Sequence, residues 1–341
     1  IGFMAHMDTA PNMSGKDVNP RVVENYDGKD IVLNEKHNIV LSTKYYPEIL
    51  QFVGDSIVVT DGTTLLGADD KGGVAEIITA MEYLINHPEI KHGKIRVCFT
   101  PDEEIGKGVQ YLDPNKFGVK FAYTIDGGPV GELQYENFNA AKALITINGV
   151  DIHPKEAKGK MKNTILIANE FINMLPYQER PEYTENYEGF FHLISFEGGV
   201  EKTNLYFIIR DFFKESFQKR KDLMKKIVDL LNFKYGEGTV EMKIEDTYYN
   251  MRDIVEKHME LIDIAKKSME ELGVTPKIIP IRGGTDGARL SYKGIPTPNI
   301  GTGGYNYHGR YEYIPVSSLE KVTEIITKLS VIWTDYAIKN Y

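Results

Sequence analysis

Hydrophobic positions in the first part of the chain form short apolar runs separated by a stretch of helical periodicity. The runs predict strands over residues 1–5, 94–100 and 121–125. Between the first two runs, apolar residues three and four positions apart predict an amphipathic helix over residues 73–86. Strands that alternate with helices are typical of an α/β sheet covered on both faces.

From about residue 139 the order of the predicted elements changes. A strand (140–148) is followed by a helix (164–175), and two strand-like runs then surround a turn signal at residues 197–199. A second helix (217–231) precedes a last strand (239–244). This β-α-β-β-α-β order is the ferredoxin-like arrangement.

After residue 249 the alternation of helices and strands resumes. The pattern predicts a helix over residues 254–272 and strands over 277–281 and 297–301. A last amphipathic helix is predicted to begin at Ser317, with Glu320 completing a capping box.

These patterns predict a discontinuous α/β domain, residues 1–137 with 250–341, into which a smaller α+β domain, residues 138–249, is inserted. The chain opens at Ile1 inside the first predicted strand, without an initiator Met. A terminus at that place leaves an unpaired neighbour position in the sheet, so we expect a segment of the native chain to be missing upstream.

Composition narrows the class of protein. The chain has 341 residues, a length typical of two domains, and 42% of them are hydrophobic and 26% charged, which excludes a disordered chain. Its formal charge of -9 argues against a general nucleic-acid binder. The single cysteine, Cys98, excludes a disulfide within the chain and fits a reducing compartment. No membrane span or signal peptide is recognisable, so we expect a soluble cytoplasmic protein.

Side chains that bind metals occur in five places where predicted strands end. Each place also has a simpler explanation: a chance surface pair, a helix N-cap, a solvated acidic turn or an exposed loop histidine. In open α/β sheets, however, ligands bind beyond the carboxyl ends of the strands. The five places are His6-Met7-Asp8, Asp69-Asp70, Asp102-Glu103-Glu104, Asp126 and the glycine-rich loop around His308.

Taken together, these residues form a mixed set of imidazole and carboxylate ligands. The set comprises His6, Asp69, Glu104, Asp126 and His308. One catalytic zinc ion usually has three protein ligands and a water, so this set suits two metal ions that share a bridging carboxylate. Glu103 is then left over as a general base for the attacking water.

The whole chain resembles the M20 metallopeptidase family, and within that family its tripeptide aminopeptidases. The motifs that carry the resemblance are long and stand in the order of the family: residues 62–71, 99–108, 123–128, 281–288 and 302–309. The resemblance implies a zinc-peptidase domain with a mixed sheet flanked by helices, and a ferredoxin-like lid and dimerisation domain over residues 138–249.

The resemblance also implies a role for each site residue. His6 and Asp126 would bind the first metal ion and Glu104 and His308 the second, with Asp69 as the bridge. Asp8 would orient His6, and Glu103 would be the general base and acid. His153 would polarise the scissile carbonyl from the lid. Arg282 would bind the carboxylate end of the peptide, unless it forms an internal ion pair, for which Asp286 is the candidate partner.

The expected function is release of the N-terminal residue from tripeptides by a water activated by two Zn²⁺ ions, with Co²⁺ or Mn²⁺ as alternatives. Short peptides are the expected partners, nucleic acid and membranes are not, and a homodimer through residues 138–249 is expected. A related dipeptidase or amino-acid deacylase on the same metal core is the alternative enzyme. A metal-binding protein without activity is the alternative from another class, although such a protein has little use for Glu103.

Overall fold

The computed structural model describes residues 1–340. Its strands are β1 (Gly2–His6), β2 (Pro20–Val23), β3 (Ile31–Asn34), β4 (Ile39–Leu41), β5 (Ile57–Thr60), β6 (Arg96–Thr100), β7 (Ala122–Ile125), β8 (Glu132–Gln134), β9 (Asn139–Asn148), β10 (Phe190–Gly198), β11 (Lys202–Asp211), β12 (Val240–Tyr248), β13 (Lys277–Ile278), β14 (Asn299–Ile300) and β15 (Tyr313–Pro315).

The α-helices are α1 (Ala68–Asn86), α2 (Pro114–Phe117), α3 (Thr164–Met174), α4 (Lys214–Tyr235), α5 (Arg252–Val255), α6 (Glu260–Glu270), α7 (Asp286–Tyr292) and α8 (Val316–Asn340). Short 3₁₀ turns lie at Pro47–Phe52, Pro154–Glu156, Pro181–Tyr183 and Glu256–His258. No helix among residues 1–340 is long and apolar enough to span a membrane.

The chain divides into two compact units. Unit 1 comprises Ile1–Tyr135, Met251–Ile279 and Thr285–Tyr341, and unit 2 comprises Glu136–Asn250 and Pro280–Gly284. The catalytic and lid roles that the sequence predicts for the two parts of the chain stay predictions.

A six-stranded mixed sheet is the centre of unit 1. Its strand order is β13-β8-β14-β7-β1-β6, and its pairs are parallel except β14 with β8. Every residue of β1 is buried, as expected of a strand with parallel neighbours on both sides and helices packed on the sheet. Helix α1 packs on β1 and β7, and α8 packs on α1. The predicted α/β class and the mixed sheet flanked by helices are confirmed.

Unit 1 also contains two small sheets that the hydrophobic pattern did not reveal. Strands β15, β5 and β2 form one antiparallel sheet, and β3 and β4 form the other. Residues of both sheets share a hydrophobic cluster that includes the buried Tyr26 and Tyr313. The first of these sheets brings β15 from the end of the chain against β5, so the segments that precede α1 and α8 are fixed side by side.

Unit 2 is built on a four-stranded antiparallel sheet in the order β10-β11-β9-β12. Buried residues alternate along β11, so that one face of the sheet supplies the core. Helices α3 and α4 cover that face and complete the core, in which Phe171, Met224 and Leu231 are fully buried.

Two predictions about the last third of the chain are wrong. The predicted helix over residues 254–272 is divided into α5, a 3₁₀ turn and α6. The predicted capping box of the last helix is replaced by a tertiary contact, because the helix begins at Val316 and the Ser317 hydroxyl donates to Asp55. The contact of Ser317 with Asp55 joins residues far apart in the sequence, which the local pattern does not contain.

Candidate metal centre

The first candidate ligand, His6, ends β1 at the carboxyl edge of the main sheet. Its imidazole Nε2 lies 3.0 Å from Asp69 Oδ1 and 3.8 Å from Asp126 Oδ1. Asp126 follows β7, the parallel neighbour of β1, so the sheet itself brings these two side chains together. His6 is 2% exposed, and the strand end therefore places an imidazole among buried carboxylates.

The second candidate imidazole, His308, approaches the same aspartate from the other side. His308 Nε2 lies 3.0 Å from Asp69 Oδ2 and 3.0 Å from Glu104 Oε1. Asp69 thus has one carboxylate oxygen against each histidine. This is the arrangement expected of a carboxylate that bridges two cations.

Asp69 takes its position from an irregular start of α1. Gly67 precedes it in the left-handed conformation (φ 78°), and Asp69 and Asp70 have non-helical backbone angles, so the regular helix begins only after them. The Asp69–Asp70 peptide bond is cis. Asp70 points back to the sheet, where its Oδ2 accepts the backbone N–H of His6 at 3.0 Å.

Asp8 connects the His6 strand with the acidic loop after β6. Its backbone carbonyl oxygen is hydrogen-bonded to His6 Nδ1 at 3.1 Å, and its Oδ1 lies 3.3 Å from the same nitrogen, on the opposite side of the ring from Asp69. The same carboxylate accepts the backbone N–H groups of Glu103 at 3.0 Å and Glu104 at 3.1 Å. Asp8 therefore holds both the imidazole and the two glutamates in place, as carboxylates behind a metal ligand do.

A second buried aspartate, Asp286 at the start of α7, holds the acidic loop at its two ends. Its Oδ2 accepts the Thr100 hydroxyl at 2.7 Å, and its Oδ1 accepts the Val109 N–H at 3.2 Å. The sequence placed Asp286 only as a candidate partner of Arg282. In the sequence, the one signal of this role is the place of Asp286 within the motif of residues 281–288.

The pKa values of the site reflect how many carboxylates it concentrates. Burial opposes protonation of His6, but its hydrogen bond with Asp69 and the charges of Asp126 and Asp70 outweigh burial and raise its pKa to about 11. Hydrogen bonds with Asp69 and Glu104 raise the pKa of His308 to about 10. Burial favours neutral Asp69, yet the hydrogen bonds from His308 and His6 lower its pKa below the usual value.

The remaining carboxyl groups shift in the opposite direction. Burial raises the pKa of Glu103 to about 9 and that of Asp126 to about 7, and neighbouring carboxylates add to both shifts. Burial also raises the pKa of Asp70 well above its usual range. Like charges this close together need cations to neutralise them.

The residues present fit a pair of divalent cations. Imidazole nitrogens and carboxylate oxygens are the ligands that zinc binds in proteins, together with cysteine thiolates. The ligand atoms of His6, Asp69 and Glu104 lie within 4.8 Å of one another, and so do those of His6, Asp70 and Asp126. Among the described residues, the buried Asp70 Oδ1 has no hydrogen-bond partner.

The two remaining candidates, His153 and Arg282, lie in unit 2. His153 is exposed, and its Nδ1 accepts the N–H of Lys155 at 3.2 Å. The Arg282 guanidinium donates to the backbone carbonyls of Thr184, Asn186 and Glu188 and stacks over Phe138. The catalytic role of His153 and the substrate-binding role of Arg282 stay predictions.

Residues 60–331 match the model of "Peptidase family M20/M25/M40". A peptidase T of Caldanaerobacter subterraneus subsp. tengcongensis is 60% identical over 329 residues, which cover 96% of this chain and 80% of the relative. A peptidase T of Halothermothrix orenii is 61% identical over 329 residues, which cover 96% of this chain and 81% of the relative. Among solved structures, aminopeptidase PepT from Bacillus cereus superposes with a TM-score of 0.78 at 26% identity, covering 97% of this chain and 80% of that one.

Proposed function

Because this chain belongs to peptidase family M20/M25/M40, we propose that it is a metal-dependent aminopeptidase that releases the N-terminal residue of tripeptides. The observation that carries the proposal is the placement of two imidazoles on the two oxygens of Asp69, with the Glu103 carboxyl close enough to interact electrostatically with Asp126 and His6. The names of its relatives, peptidase T and aminopeptidase PepT, support the same class of substrate.

Two Zn²⁺ ions are the proposed cofactors, with Co²⁺ or Mn²⁺ as alternatives. His6 and Asp126 would bind one ion, and Glu104 and His308 would bind the other. Asp69 would bind both ions. When bound, a pair of such ions lowers the pKa of a water toward ~7 and polarises a carbonyl oxygen.

Glu103 is the proposed general base. Its carboxylate would accept a proton from the attacking water and return it to the nitrogen of the leaving amine, as acid–base catalysis in both directions requires. Asp8 holds the backbone N–H of Glu103, so the position of this base is fixed by the same residue that orients His6.

Unit 2 is proposed to be a ferredoxin-like lid that takes part in catalysis and in dimerisation. The antiparallel order β10-β11-β9-β12, with α3 and α4 on one face, supports the ferredoxin-like class. In this proposal His153 donates a hydrogen bond to the oxyanion of the reacting carbonyl, and Arg282 binds the carboxylate end of the peptide. The single cysteine, Cys98, supports a reducing, cytoplasmic compartment.

A substrate panel tests the proposal. The purified chain is supplied with Zn²⁺, Co²⁺ or Mn²⁺ in turn, and release of the N-terminal residue from tripeptides is compared with hydrolysis of dipeptides and N-acylated amino acids. We expect tripeptides with a free amino group to be cleaved best. Preference for a dipeptide or an N-acylated amino acid would instead favour the alternative dipeptidase or deacylase.

A further inference from the structure

One buried carboxylate outside the ligand set binds the backbone around Asp69. Glu312 is 1% exposed. Its Oε2 accepts the N–H groups of Leu66 at 2.9 Å and Gly67 at 2.7 Å, and its Oε1 accepts the N–H of Asp69 at 2.9 Å. A single side chain thus satisfies three backbone donors in a loop some 240 residues earlier in the chain.

The loop needs an acceptor from elsewhere in the fold. A buried backbone N–H group needs a hydrogen-bond acceptor, and an irregular turn supplies fewer of them than a regular helix or strand. At the start of α1 the N-cap residue is Gly67, which makes no side-chain capping bond, and the backbone at Asp69 is not helical. A carboxylate at this end of a helix is favoured by both hydrogen bonding and the helix dipole. Glu312 therefore supplies, from a distant segment, the acceptors for backbone N–H groups of the irregular turn that precedes the regular part of α1.

Glu312 also joins the two segments that carry the central candidate ligands. It lies four residues after His308 and directly before β15, and backbone hydrogen bonds between Tyr305 and Tyr313 close the loop around His308. The backbone of Asp69 is thus fixed to the same loop from which His308 approaches Asp69 Oδ2 at 3.0 Å.

We propose that Glu312 is a positioning residue of the metal centre, which fixes the backbone of Asp69 so that its two carboxylate oxygens face His6 and His308. This inference rests on the proposed function, since it assumes that Asp69 binds both metal ions. It predicts that loss of the Glu312 carboxylate loosens the 64–70 loop and weakens metal binding while the rest of the fold stays intact.

The test compares the E312Q variant with an E320Q control. An amide has one acceptor oxygen and an NH₂ group that cannot accept, so E312Q leaves at least one of the three N–H groups facing another donor. Glu320 is exposed on α8, and E320Q removes the same charge without touching the loop. Both variants and the wild type are prepared with and without metal.

Hydrogen exchange of the metal-free proteins is the first measurement. In E312Q we expect the amides of residues 64–70 to exchange on the order of tenfold faster than in wild type, as loss of a hydrogen bond to a charged acceptor predicts. The E320Q control and the amides of unit 2 should be unchanged.

Zinc affinity, measured by competition with a chelator, is the second measurement. We expect E312Q to bind Zn²⁺ on the order of 10–100-fold more weakly than wild type, the loss typical of residues that orient ligands. E312D keeps the charge but is one methylene shorter, so we expect an intermediate loss. It replaces E312Q in both measurements if that variant does not fold.

The outcomes separate the two proposals. A variant with a lower Tm but wild-type zinc affinity, or with wild-type exchange at residues 64–70, would show that Glu312 does not position the centre, and the proposed function would stand. If the wild-type chain itself binds none of Zn²⁺, Co²⁺ and Mn²⁺, the proposed function is wrong, and the positioning role is wrong with it.

Discussion

At the scale of single residues, Asp69 is the central side chain of the candidate metal centre. Its two carboxylate oxygens contact His6 and His308, and it lies on the irregular start of α1. An isosteric amide at this position has one acceptor oxygen and no charge, so it cannot bridge two cations.

We therefore predict that D69N loses metal. Zinc content measured after dialysis should fall from two equivalents to one or fewer, and activity should be lost with it. Retention of two equivalents with wild-type affinity would contradict the bridging role of Asp69. D113N is a suitable control, because it makes the same chemical change at the N-cap of the short helix α2, where asparagine caps as well as aspartate.

Glu103 gives the complementary prediction. E103Q should keep both metal ions but lose about 10²–10⁴-fold in kcat, because the amide cannot accept the proton of the water. Asp102 provides a matched control: it is exposed and has a positive φ of 60°, a conformation that Asn adopts readily. D102N should keep nearly full activity. Depleted zinc in E103Q, or turnover near wild type, would contradict the assignment of Glu103 as the base.

At the scale of elements, α1 must approach β7 closely for Asp70 to reach the sheet. A Cβ on Gly73 would meet the carbonyl oxygen of Ile125 and would lie 2.7 Å from Asp70 Oδ1. A Cβ on Gly72 would meet first the end of the Ile314 side chain, at 3.1 Å, which can move. A side chain at position 73 would therefore clash with fixed backbone, whereas a side chain at position 72 would meet only a side chain that can move.

We predict that G73A displaces the start of α1 and weakens zinc binding as well as stability. G72A should be tolerated, because alanine favours a helix by about 1 kcal/mol over glycine and offsets the small rearrangement. Thermal unfolding and zinc titration of the two variants measure both effects. Equal behaviour of the two variants would contradict the proposed close contact.

The segment Pro280–Gly284 gives a second prediction at this scale. Its Arg282 is held by the carbonyls of residues 184–188, so R282A affects both the packing of unit 2 and any substrate carboxylate bound there. If Arg282 binds substrate, R282A raises the KM of a tripeptide roughly 10–100-fold, as loss of a charge-assisted hydrogen bond predicts, and affects a tripeptide amide much less. An equal effect on both substrates would make Arg282 a structural residue.

At the scale of the whole molecule, the metal centre links stability to pH. In the metal-free chain the folded-state pKa values of Asp126 (about 7), Glu103 (about 9) and His6 (about 11) are raised above their ordinary values. The folded state therefore binds more protons than the unfolded state over this range. These groups contribute stability at low pH, and that stability is lost as the pH rises through the folded-state pKa values.

We predict that the Tm of the metal-free protein falls between pH 6 and pH 9. Over this range the free energy of unfolding should decrease by about 1.4 kcal/mol per pH unit for each extra proton that the folded state binds. Asp69, whose pKa is lowered, is ionised in both states over this range and contributes no slope. Metal binding requires deprotonated ligands, so the difference in Tm between the zinc-loaded and metal-free protein should widen with pH. Differential scanning calorimetry of both forms checks this, and a gap that narrows would contradict it.

The amino-acid sequence by itself determined the class of the fold and the family. Apolar runs and helical periodicity predicted the central strands, the order β-α-β-β-α-β of the middle segment and the last helix, because burial of one face repeats with the period of the element. The candidate ligands were recognisable because they follow strands, and parallel strands end at one edge of a sheet. Long motifs identified the family, which the comparisons confirm.

Only the tertiary structure decided which distant backbones and side chains meet. The helix predicted over residues 254–272 is interrupted by a 3₁₀ turn, and the Ser317 capping box is replaced by a contact with Asp55, a partner that no local window contains. The same is true of Asp286 on the acidic loop and of Glu312 on the Asp69 loop, each joined across more than 170 residues. The physical reason is that a periodic pattern records whether a position is buried, whereas a hydrogen bond between remote segments depends on the paths of both through the folded chain.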